Sequence, residues 1–94
     1  MSGFAQQCLA AEVPVCGKVG AITASTYRNG VMYEVRMING GRRVNGRLEV
    51  VGNFFLNSQE NTDGFIHLVL EAKRSDNSVC FTSNGTTVTT LTIR

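Results

Sequence analysis

Long apolar runs are missing from this 94-residue chain. No stretch approaches the roughly 18 to 20 residues a membrane-spanning helix needs. Proline occurs once and glycine ten times, which excludes a proline-rich or low-complexity linker. Histidine occurs once and cysteine three times, without the C-x-x-C spacing of a zinc or dithiol motif. The net charge is only +2, short of the basic excess that nonspecific polyanion binders carry. No G-x-S-x-G elbow is present, and no glycine-rich loop opens a helix to cradle phosphate. These absences predict a non-enzyme with no cofactor, no metal and no membrane partner. His67, with Glu71 four positions on, is expected to be a surface side chain rather than a catalytic base.

What remains is the material of one core. Hydrophobic residues make up 43% of the chain, enough for residues 1–94 to fold as one β-rich domain without disulfides or a metal. Residues 1–14 are expected to pack on it as a helical or extended segment: Ser2 can cap a helix, Phe4 and Cys8 form an i,i+4 apolar pair, and Pro14 ends it. The opening MSGFAQQCLAAEVPVCG has neither the basic nor the continuous apolar region of an intact secretory signal. With an odd cysteine count, Cys8, Cys16 and Cys80 read as small buried hydrophobes in a reducing cytoplasm. In a processed secreted form, one disulfide would form instead, Cys8–Cys16 or Cys16–Cys80.

From Val15 onward the apolar period is two. The expected strands are 16–24, 27–38, 43–56, 64–74, 78–83 and 86–94. In the second, Val31, Tyr33, Val35 and Met37 share one face. In the third, Leu48, Val50, Phe54 and Leu56 do so, with Gly52 marking a bulge or a close approach. In the fourth, FIHLVLEAK places Ile66, Leu68, Leu70 and Ala72 inward. Short connections and the lack of a helical crossover predict a mainly β fold, about six antiparallel strands arranged as a small OB-like barrel or a sandwich, with the N-terminal helix over one open end.

The stretch RMINGGRRVNGRLEV holds two competing turn signals. Asn39-Gly40-Gly41 is taken as the hairpin turn and Asn45-Gly46 as a bulge, which keeps Leu48 and Val50 opposite the apolar side of the preceding strand. Arg36, Arg42, Arg43 and Arg47 then project from a basic β-hairpin. Residues 18–47 hold six basic groups against one acid, while 48–94 hold three against five. Tyr27, Tyr33 and Phe55 are candidate aromatic binding residues, as stacking platforms or as an exposed interface ring. In the final strand, Val88, Thr90 and Thr92 carry no charge to guard an edge, so they are candidate interface residues. Together these predict a small accessory protein working through protein–protein contact, a homo-oligomer or a partner-docking domain. The alternative is an OB-like domain that binds single-stranded DNA or RNA through the basic hairpin.

Overall fold

The computed structural model describes residues 13–57 and 62–94. The strands are β1 (Val15–Tyr27), β2 (Gly30–Val44), β3 (Arg47–Val50), β4 (Asn53–Asn57), β5 (Ser78–Asn84) and β6 (Thr87–Ile93), with one helix, α1 (Thr62–Ser75), between β4 and β5. All pairings are antiparallel and form one open sheet in the order β3-β2-β1-β5-β6, with β4 continuing β3 along the same edge of β2. The mainly β, six-stranded expectation holds at this level. The sheet does not close, and among the described residues there is no second sheet. The helix expected over the first dozen residues lies outside the described residues.

The segment expected to be the fourth strand is α1. Its buried positions are Thr62, Ile66, Val69 and Ala72, spaced by four, three and three, so the apolar stripe follows the helical period. Leu68 and Leu70, which a strand would turn inward, are exposed. Asp63 in the first turn and Lys73 and Arg74 in the last oppose the helix dipole favourably. The helix stops in a Schellman arrangement: the Asn77 N–H donates to Ala72 O and the Asp76 N–H to Lys73 O. Asp76 takes the left-handed conformation that glycine usually supplies.

The two turn signals in 36–50 have exchanged roles. Asn45-Gly46 closes the β2–β3 hairpin, both residues at positive φ as a type I′ turn requires. Asn39-Gly40-Gly41 is the bulge: with Asn39 at φ 56, residues 37–40 of β2 face only Val51 and Gly52. Met37 N–H donates to Gly52 O and Gly40 O accepts from Val51 N–H. A side chain at 40 would sit 2.5 Å from Val51 O, so the crossing needs glycine.

The core lies on the face of the sheet that α1 covers. Val15, Val19, Val35, Met37, Phe54, Leu56, Val79, Phe81, Val88 and Leu91 meet Ile66, Val69 and Ala72 there. The Phe54 and Phe81 rings pack with centroids 4.4 Å apart. Residues 13–57 and 62–94 share the sheet through one short seam, the four β1–β5 pairs from Val15↔Phe81 to Lys18↔Ser78. Cys16 and Cys80 stand opposite each other in it and form a disulfide. The expectation of three free thiols is corrected for these two, and Cys8 lies outside the described residues.

The open face of the sheet as a candidate contact surface

Strand alternation fixes what the other face carries. A row of directly paired residues crosses the whole sheet, Val50–Gly41–Cys16–Cys80–Thr92. Ile38, Lys18 and Ser78 form the next row, and Leu48 with Arg43 flanks the first. Phe55 and Glu34 pair farther along the same face. No element among the described residues lies over these rows.

The apolar side chains here are large and exposed: Val50 at 75%, Leu48 at 62%, Ile38 at 53% and Phe55 at 40%. Their position comes from the interruption at Val51 and Gly52. Gly41↔Val50 and Arg36↔Asn53 bracket four residues on β2 but only two on the opposing segment. The alternation therefore slips one step between β3 and β4. Leu48 and Val50 point to the open face while Phe54 and Leu56 point into the core, so the expectation that all four share one side is corrected. A side chain at position 20 or 41 would crowd the patch. Ile38 Cγ1 lies 3.3 Å from where a Gly20 Cβ would stand, and Leu48 Cδ1 lies 3.2 Å from that of Gly41.

Charge surrounds the patch with a positive bias. Arg36 and Arg43 share its face, Arg43 donating to Gly46 O at 3.3 Å. Lys18 pairs with Asp76 at 3.2 Å. Arg94 reaches over the disulfide, with Nη1 3.4 Å from Cys80 Sγ and 3.9 Å from Cys16 Sγ. Glu34 also lies on this face and accepts a bond from Asn53 Nδ2 at 2.8 Å.

The arginines picked out from the hairpin do not act as one finger. Arg42 and Arg47 fall on the side opposite Arg36 and Arg43, and Arg42 is ion-paired with Glu49. Among the described residues Arg36 and Arg47 have no ion-pair partner. The aromatics are spread as well. Tyr33 packs against the core, Phe55 lies on the open face, and Tyr27 ends β1 with the Arg28 guanidinium 5.3 Å from its ring centroid. In β6, Val88 is buried in the core, while Thr90 and Thr92 are exposed. Thr82 Oγ1 meets both Thr89 and Thr90 hydroxyls where β6 carries a bulge.

His67 is exposed on α1, and Glu71 is engaged by Arg74 at 3.0 Å. Among the described residues no three His, Cys, Asp or Glu side chains converge as a metal site would need. No helix among them is long and apolar enough to cross a membrane. The Leu48–Val50–Ile38 patch was missed in the sequence because Leu48 and Val50 have the spacing of core residues; the Val51-Gly52 pair was the available sign of a phase change. No family model matches the chain, and no curated protein or solved structure resembles it significantly.

Proposed function

We propose that this chain is a small non-enzymatic binding domain that works through protein–protein contact, assembling with itself or docking on a partner through the open face of its sheet. The observation that carries this is the exposure of Ile38, Leu48 and Val50 on the sheet face opposite the one that packs against α1. Each such side chain contributes on the order of 1 to 2 kcal/mol when a partner removes it from water. An apolar centre with a charged border is the usual make-up of a contact surface.

The basic hairpin gives the nucleic-acid reading less support. Only Arg36 and Arg43 share a face with Phe55, and an OB-like barrel would need the β4 and β6 edges to pair. The Cys16–Cys80 bond favours a processed secreted form in an oxidising compartment over a cytoplasmic location.

Light scattering on a size-exclusion column, across a concentration series and with a poly-dT oligonucleotide present, tests the proposal. The expected result is a mass that rises above 10.2 kDa with concentration and returns to monomer in Leu48→Ser/Val50→Ser. Association that survives this double variant would remove the open face from the proposal. Oligonucleotide co-elution abolished by Arg36→Ala/Arg43→Ala would replace it with the nucleic-acid reading.

A further inference from the structure

We propose that the Cys16–Cys80 bond is a thiol–disulfide exchange site, at which an external dithiol reductant attacks Cys16 and displaces Cys80 as a thiolate held by Arg94. Three observations on the open face carry it. The bond sits in the sheet face away from α1, in the row Val50–Gly41–Cys16–Cys80–Thr92, with the Arg94 side chain beside it. Its two residues are unequally exposed: Cys80 is 7% exposed, whereas Cys16 is only partly buried. The guanidinium of Arg94 is also closer to one sulfur than the other, 3.4 Å from Cys80 against 3.9 Å from Cys16.

Exchange runs fastest when the attacked sulfur is accessible and the leaving sulfur is stabilised as an anion. Both conditions select the same polarity here. The reductant's thiolate attacks Cys16 Sγ; a bond forms between them, and the Cys16–Cys80 bond breaks with its electron pair going to Cys80. Arg94 stands where that negative charge appears. The reductant's second thiolate then attacks its own sulfur in the mixed disulfide. Cys16 is released as a thiolate and the reductant leaves as a cyclic disulfide. The protein gains two electrons, the reductant loses two, and solvent protonates the thiolates according to pH.

The outcome matters to the fold because this bond staples the four-pair seam between residues 13–57 and 62–94. Reduction leaves that seam to its ladder and to the core contacts of Val15, Val79 and Phe81. The inference does not rest on the proposed contact function, and its test involves no partner.

The test uses the full chain carrying Cys8→Ser, so that the two half-cystines stand alone. Folded protein is exposed to glutathione to trap the mixed disulfide, and in parallel to dithiothreitol with time-resolved alkylation. Peptide mass spectrometry should place glutathione on Cys16 over Cys80 by about tenfold. Arg94→Gln should slow reduction of the folded protein about three- to tenfold, Arg94→Lys less, and neither should change the rate in 6 M guanidinium, where the charge is no longer held beside the bond. Glutathione on both cysteines equally, an unchanged rate in Arg94→Gln, or reduction no faster than global unfolding measured by hydrogen exchange would each overturn the proposal.

Discussion

Replacing both half-cystines by alanine removes the one covalent tie across the β1–β5 seam, and its effect can be worked from the chain path. The bond closes a loop of 64 residues. A cross-link of that span lowers the entropy of the unfolded chain by about 14 to 15 cal/mol/K, or about 4 kcal/mol at 25 °C. Small domains have roughly 5 to 15 kcal/mol of stability in total, so Cys16→Ala/Cys80→Ala should lose a large share of it. Loss of sulfur packing at Cys80 adds a smaller amount, because that side chain is buried. Equilibrium urea unfolding, with Cys8→Ser in both proteins, reads both parts of the prediction. The midpoint should fall steeply, and the slope m should rise, because an unfolded chain freed of the cross-link exposes more surface. A loss below about 1 kcal/mol with m unchanged would refute the assignment of this bond as the staple of the seam.

Five further substitutions check other parts of the structure. Gly40→Ala should destabilise by about 2 kcal/mol or more, since its Cβ would meet Val51 O at 2.5 Å and Met37 Cβ at 2.8 Å. Gly52→Ala, with open space around it, should be neutral or gain up to about 1 kcal/mol; thermal melts of the pair give the contrast. Val69→Ala should cost about 2 kcal/mol, whereas Leu68→Ala should cost under about 1, because Val69 is fully buried and Leu68 is exposed; a strand would reverse that order. Asp76→Gly should stabilise by about 0.5 to 1 kcal/mol in the same assay, because position 76 holds φ 60 and the lost ion pair with Lys18 is exposed.

How far the fold was legible depended on whether one period dominated. Val35 and Met37 alternate with charged and exposed residues over a full strand, so β2 and its core face could be read directly. FIHLVLEAK fits both periods: Ile66, Leu68, Leu70 and Ala72 alternate, while Ile66, Val69 and Ala72 follow a helix. The deciding signs were the charges, with Asp63 at one end, Lys73 and Arg74 at the other, and Glu71 placed three residues before Arg74. The β2–β3 turn was misplaced because both asparagine–glycine pairs favour positive φ; only the crowding around Gly40 shows which stretch is the bulge. The disulfide joins residues 64 apart, and no local pattern picks Cys80 over Cys8 as the partner of Cys16. The open-face patch was hidden by its phase. Leu48 and Val50 sit in phase with Phe54 and Leu56, and the phase slips only once the chain has folded around the bulge.

Contact through the sheet face opposite α1 can be read residue by residue from amide chemical-shift mapping across a protein concentration series. Changes should concentrate at Ile38, Gly41, Leu48, Val50 and Phe55, with α1 unaffected. Changes confined to the outer side of α1 around Leu68 and Leu70, or to the Asn45-Gly46 tip, would contradict it.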